Sequence, residues 1–134
     1  MPWYQKTLQL PAKTRGFHLV TDLLTAAVPE MRKISRGLLH AFIQHTSASL
    51  MINENADPDV PRDMLHALRT LIPQHGMGFR HGEENSDAHI KTSLVGTSVT
   101  VPFSDGELLL GRWQGIFLCE FDGGRERQVI MFVK

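Results

Sequence analysis

Leu38-Leu39-His40-Ala41-Phe42-Ile43-Gln44-His45-Thr46-Ser47-Ala48-Ser49-Leu50-Met51-Ile52 is the stretch on which the fold turns. It reads as one long strand. Alternation puts Leu39, Ala41, Ile43, His45, Ser47 and Ser49 on one face, and Leu38, His40, Phe42, Gln44, Thr46 and Ala48 on the other. Both faces mix apolar and polar residues, so the strand is expected to be covered on both sides. His45 continues an apolar face where that face turns polar. A strand delivers a ligand or a base to the edge of a core in this way.

Upstream, Trp3 to Leu10 alternates as a first strand, Pro11 to Gly16 is a turn and Phe17 to Val20 is a short second strand. Thr21 is expected to cap a helix, with Asp22 in its first turn and Leu23, Leu24, Ala27, Val28, Met31 and Ile34 as its apolar stripe. Pro29 should kink or split that helix, and Gly37 is placed to end it. Downstream, Asn53 to Asp59 is a polar turn. Pro61 suits the first turn of a second helix with Val60, Met64, Leu68 and Leu71 as its stripe, stopped by Pro73. Asp63 borders that stripe and His66 points away.

Gln74 to Ser86 has three glycines and no apolar period, which marks a loop. An ordered loop of that length is more often functional than not. Asn85 or Ser86 should cap a short helix from Asp87 to about Leu94, ending at Gly96. The last third reads as antiparallel β. Thr97 to Phe103 and Glu107 to Leu110 flank the turn Ser104-Asp105-Gly106, and Gln114 to Phe121 and Arg127 to Val133 flank Asp122-Gly123-Gly124-Arg125. The expected architecture is α+β: a mainly antiparallel, sandwich-like sheet system with two main helices and one short helix.

At 134 residues the chain is expected to form a single domain, residues 1–134, that buries about two thirds of its unfolded surface. Fourteen basic residues balance fourteen acidic ones, which argues against nucleic acid or an anionic membrane as the main partner. No apolar stretch approaches the ~20 residues of a membrane-spanning helix. The start, Met1 to Lys6, lacks the apolar segment of a signal peptide. One cysteine, Cys119, lies in an apolar run. It reads as a small buried hydrophobe, no internal disulfide is possible, and a reducing, cytoplasmic compartment is expected.

Chemistry concentrates in His81-Gly82-Glu83-Glu84-Asn85-Ser86-Asp87-Ala88-His89-Ile90-Lys91, a stretch with almost no apolar content. It is a solvated loop or the lining of a site. His45, His81 and His89 are candidate imidazole ligands for a divalent metal, which needs nitrogens at ~2.1 Å and keeps a position for water or substrate. Short spacings such as H-E-x-x-H are absent, so three separate segments would have to converge. Glu83, Glu84, Asn85 and Asp87 are candidate orienting or acid–base groups, or simply solvated. On a helix, His89 and Lys91 lie ~200° apart and serve different subsites. Gln114 and Glu120 share one strand face roughly 20 Å apart, so at most one belongs to a centre around His45. Trp113 borders a pocket or, as the better reading, packs in the core. Common nucleotide-binding loops and the G-x-S-x-G elbow are absent.

Three segments then carry a family likeness: His45-Thr46-Ser47-Ala48-Ser49-Leu50 with Ile52-Asn53-Glu54-Asn55; Asn85 to Gly96; and Leu110-Gly111-Arg112-Trp113-Gln114 through Glu120-Phe121-Asp122. In this order, over nearly the whole chain, they resemble the YjbQ-like family, often labelled secondary thiamine-phosphate synthase. The resemblance implies a compact α+β sandwich, a homotrimer and a polar pocket of histidines, with a bound divalent metal, zinc or magnesium. It implies His45, His81 and His89 as metal ligands and His45, His89, Asp63, Lys91 and Glu54 as catalytic groups. It implies Thr46, Ser47, Asn85 and Gln114 as substrate-binding groups, while Glu120 matches a polar position and Glu83 and Glu84 match most loosely. The activity it implies joins a pyrimidine pyrophosphate to a thiazole phosphate with loss of pyrophosphate. The alternatives at the same residues are a metal-dependent hydrolase or lyase, or a metal- or ligand-binding trimer without catalysis.

Overall fold

The structure is a computed structural model that describes residues 3–134, so the sequence reading of Met1 and Pro2 lies outside it. Its strands are β1 (Tyr4–Leu10), β2 (Gly16–Leu19), β3 (Arg36–Ile43), β4 (Ala48–Glu54), β5 (Ser98–Ser104), β6 (Glu107–Leu108), β7 (Gln114–Glu120) and β8 (Arg127–Val133). The helices are α1 (Thr21–Ala27), α2 (Asp59–Leu71) and α3 (Ser86–Val95), with a 3₁₀ segment at Pro29–Lys33. Five strands pair antiparallel in the order β1-β8-β3-β5-β6, and three in the order β2-β7-β4. The α+β, antiparallel reading therefore holds.

The two sheets face each other across the main core. Leu10, Leu39, Ala41, Ile43, Val101, Phe103, Val129, Met131 and Val133 of the larger sheet meet Leu50, Ile116 and Leu118 of the smaller. Leu24, Val28 and Met31 close that core. The other face of the smaller sheet, with Met51, Phe117 and Cys119, packs under Met64 and Leu68 of α2 and Ala88 and Val95 of α3. The smaller sheet is thus the middle of three layers, and β7 is buried on both faces from Gly115 to Glu120.

The decisive stretch departs from its reading as one strand. It is two strands, one in each sheet, and the chain crosses between them at residues 44–47. Ile43 and Gln44 still donate backbone bonds to Thr97, just before β5, and to Gln128 of β8, whereas Ala48 already pairs with Glu120 of β7. The expectation of cover on both sides holds for Ala48 to Met51 and fails for β3, whose Leu38 and Phe42 are exposed. Alternation alone does not reveal a change of sheet, because the polar residues at the crossing keep the period of two.

The remaining differences are local. Thr21 does not cap α1; it is the first helical residue, and its Oγ1 accepts the N–H of Ile116 at 2.9 Å. Pro29 splits the helix as expected. Gly37 lies inside β3, where a Cβ would collide with the Lys134 carbonyl oxygen. The Ser104-Asp105-Gly106 hairpin forms, with positive φ at Asp105 and Gly106. The second expected hairpin does not: β7 has β2 and β4 as neighbours, β8 has β1 and β3, and Asp122 to Arg125 carries the chain from one sheet to the other. Trp113 is 53% exposed with the Arg112 guanidinium 4.7 Å from its ring, so its core reading fails.

Candidate functional site

Three polar assemblies meet where residues 44–47 pass the N-terminal half of α3, the exposed His81 lying at their rim. The first is an ion pair between the sheets. Arg127 and Glu120 have the inward parity of Val129 and Met131, and of Ile116 and Leu118, on their strands. Arg127 Nε donates to Glu120 Oε1 at 2.8 Å, and Nη2 donates to Glu120 Oε2 and to Ser47 Oγ, the latter at 3.1 Å. Glu120 Oε2 also accepts the N–H groups of Asp122 and Gly123. The pair thereby fixes both crossings, through Ser47 and through the 122–123 turn.

The second assembly is the histidine edge. His45 Nε2 accepts the backbone N–H of Gln128 at 2.8 Å, so in the neutral ring the proton sits on Nδ1. Burial, and then the positive charge of Arg127, hold the His45 pKa below its usual value of 6.5. His89 is the same tautomer turned the other way: its Nδ1 lies 3.0 Å from the Thr46 carbonyl oxygen, which can only accept, so Nδ1 donates and Nε2 is left with a lone pair. The His81 and His89 rings lie 5.6 Å apart at 72°. His81 Nε2 is 3.9 Å from Glu83 Oε2.

The third assembly lies across α3 from His89. Asp87 is fully buried, and its Oδ2 takes Lys91 Nζ at 2.8 Å and Arg15 Nη1 at 3.1 Å. Burial alone would raise the Asp87 pKa, but the hydrogen bonds and charges of Lys91 and Arg15 outweigh it and hold the carboxyl below its usual range. Asn85, 3% exposed, donates to Asp122 Oδ2 at 3.0 Å. Asp87 Oδ1, Asn85 Oδ1 and Thr92 Oγ1 are buried without a hydrogen-bond partner.

The family profile described as "UPF0047 protein YjbQ-like" matches residues 6–134. This chain belongs to that family. It is 47% identical over 130 residues to the UPF0047 protein YjbQ of Escherichia coli O157:H7, covering 93% of this chain and 94% of the relative. It is 42% identical over 122 residues to UPF0047 protein YugU of Bacillus subtilis, covering 91% and 92%. Among solved structures it is similar to the conserved hypothetical protein TT1486 of Thermus thermophilus, with TM-score 0.84, 40% identity and coverage of 92% and 96%. It is likewise similar to an uncharacterized conserved protein of the YjbQ/UPF0047 family from Clostridium acetobutylicum, with TM-score 0.80, 44% identity and coverage of 98% of each chain. None of these names states a reaction.

In this YjbQ-like chain the residues expected at the site divide. His45, Thr46, Ser47, His81, Asn85, His89 and Glu120 gather around the crossing and the start of α3. Lys91 is on α3 too, but buried on the Asp87 side, as the helical spacing requires. Glu54 and Gln114 are register partners at the other end of β4 and β7, roughly 20 Å along the strand from Glu120. Gln114 Oε1 there accepts the Gly111 N–H at 2.7 Å. Asp63 is exposed on α2. Glu84 has φ of 58° and offers its carbonyl, not its carboxylate, to Gln74.

The described residues of this chain do not bring His45, His81 and His89 together as one metal set. Among the described residues no group of three or more His, Cys, Asp or Glu side chains is placed to hold a metal ion. The ligand face of His45 Nε2 is already taken by Gln128. The His81 and His89 ring centres, 5.6 Å apart, are close to the spacing of about 5 Å that two imidazoles on one tetrahedral zinc would have. Sequence reading does not single out Arg15, Arg69 or Arg127. Only Arg127 leaves a signal, a charge with the inward parity of a buried strand; Arg15 and Arg69 are ordinary surface arginines until the fold brings them to α3.

Proposed function

We propose that this chain is a small enzyme acting on phosphorylated molecules, joining a pyrimidine pyrophosphate to a thiazole phosphate with loss of pyrophosphate, as a cytoplasmic homotrimer. The observation that carries an enzyme reading is the pair of histidines at the crossing whose free ring nitrogens are of opposite kind, a donor and an acceptor. His45 offers an Nδ1–H donor and is held neutral. His89 offers an Nε2 acceptor, fixed by the Thr46 carbonyl. Such a pair gives a donor on His45 to stabilise a developing negative charge and a lone pair on His89 to hold an ion. His81 and His89 would hold a divalent ion, zinc or magnesium, with its other positions left to water, substrate or a second subunit. When bound, that ion supplies positive charge to leaving phosphate oxygens.

Metal content and product formation from the two precursors, measured on wild type and on His45→Ala, His81→Ala and His89→Ala, test this reading. Metal should be lost in His81→Ala and His89→Ala and kept in His45→Ala, with product formation reduced at least ~100-fold in His45→Ala and His89→Ala. Wild type that forms no product with metal supplied overturns the synthase reading. Full metal retention in His81→Ala and His89→Ala overturns the metal assignment.

A further inference from the structure

The side of α3 opposite His89 borders a pocket of about 400 Å³ between α2, α3 and the end of β7, within the range of small-ligand sites. Its charged lining includes Arg15, Arg69, Lys91 and Asp87, and its apolar walls include Leu65 and Phe121. The charges do not cancel. Glu120, which also borders it, is neutralised by Arg127. Asp87 is matched by Lys91 and Arg15, and Arg15 also reaches Asp122, itself paired with Arg125. Arg69 is exposed and forms no ion pair among the described residues. The pocket therefore has a surplus of guanidinium and ammonium groups.

Behind its lining lies one unmet acceptor. Asp87 is fully buried and its Oδ1 has no partner. A buried carboxylate oxygen left without a donor is costly, so a ligand that supplies an N–H or O–H there gains more than the same ligand without it. Arginine pairs bidentately with phosphate oxygens, and surplus cations in one pocket suit a dianion better than a single carboxylate.

We infer that this pocket is a second ligand site, separate from the histidine edge, that binds a small organic phosphate carrying an amine or hydroxyl next to its anionic group. Arg69 and Arg15 hold the phosphate, and Asp87 Oδ1 takes the donor. The site goes beyond the proposed reaction and is read by binding alone, so a failed synthase assay leaves it standing.

Calorimetry on the full chain with phosphoethanolamine, ethyl phosphate and β-alanine tests it. These probes carry phosphate with a donor, phosphate alone, and donor with a carboxylate. Phosphoethanolamine should bind at least ~5-fold tighter than either of the others. Arg69→Gln should weaken both phosphates by about 10-fold, and Arg62→Gln, on the same helix, should change neither by more than about 2-fold. Asp87→Asn should erase the preference for phosphoethanolamine over ethyl phosphate. If Asp87→Asn does not fold, the probe series and Arg69→Gln still decide. The proposal is overturned if wild type binds no probe at about 10 mM, if ethyl phosphate or β-alanine matches phosphoethanolamine, or if Arg69→Gln binds like wild type.

Discussion

Replacing Arg127 with methionine should be among the most damaging single changes in the protein. The guanidinium is 1% exposed and reaches Glu120 through two nitrogens and Ser47 through one. Methionine fills much of the volume but leaves Glu120, with 0% exposure, as an unpaired carboxylate. Removing one partner of a buried pair typically costs about 3–5 kcal/mol, a large share of the roughly 5–15 kcal/mol typical of a whole domain. For a chain of this size that corresponds to a fall in Tm of roughly 10–20 °C. Adding Glu120→Gln to Arg127→Met removes the stranded charge yet keeps an oxygen for the Asp122 and Gly123 N–H groups. The double variant should regain at least about 1 kcal/mol over the single. Arg127→Lys keeps the charge without the fork and should fall between wild type and Arg127→Met. Urea unfolding followed by far-UV circular dichroism reads all four proteins. A loss below about 1 kcal/mol in Arg127→Met, or a double variant no more stable than Arg127→Met, would refute this reading of the pair.

Two further outcomes follow from the buried groups. Because the His45 pKa is held below 6.5 by burial and by Arg127, charging the ring opposes folding: its contribution is complete above 6.5 and is lost as the pH falls from there through the folded-state value. Wild type should therefore lose more stability than His45→Gln between about pH 7.5 and 5.5, and equal losses in urea midpoint would count against it. Burial pushes the Cys119 thiol up to about 12, so iodoacetamide at about pH 8 should label it only after denaturation; labelling of the folded protein at the rate of a free thiol would contradict its place between β7 and the helices.

Much of the fold is legible in the chain. α2 has Pro61 in its first turn and stops before Pro73, α3 starts after Asn85 and ends at Gly96, the Asp105-Gly106 turn forms, and every expected strand segment contains strand, because these rest on local backbone preferences. Two departures share one cause. The alternation of Leu38 to Ile52 reads as one strand, and β7 and β8 read as a hairpin, yet in each case the chain changes sheets. Nothing local distinguishes a tight hairpin from a crossing of similar length; the choice depends on which strands already occupy the edges. The site is half legible. His45, His89 and Asn85 stand out, since they are polar residues interrupting apolar runs or crowding a polar one. The family likeness draws Glu54 and Gln114 toward the site, but the register of β4 and β7 holds them at its far end.

The sequence by itself determined most of the elements, the inward parity of Arg127 and Glu120, and the opposed sides of His89 and Lys91, because each follows from a period of about 2.0 or 3.6. The tertiary structure alone decided the tautomers. His45 Nε2 meets an N–H and His89 Nδ1 meets a carbonyl, and those backbone groups come from Gln128 and Thr46, 83 and 43 residues away in the chain. It alone also placed Arg15 on Asp87 across 72 residues. Hydrogen bonds of that span have no local signature, since the partner that sets a side chain's chemistry is chosen by packing.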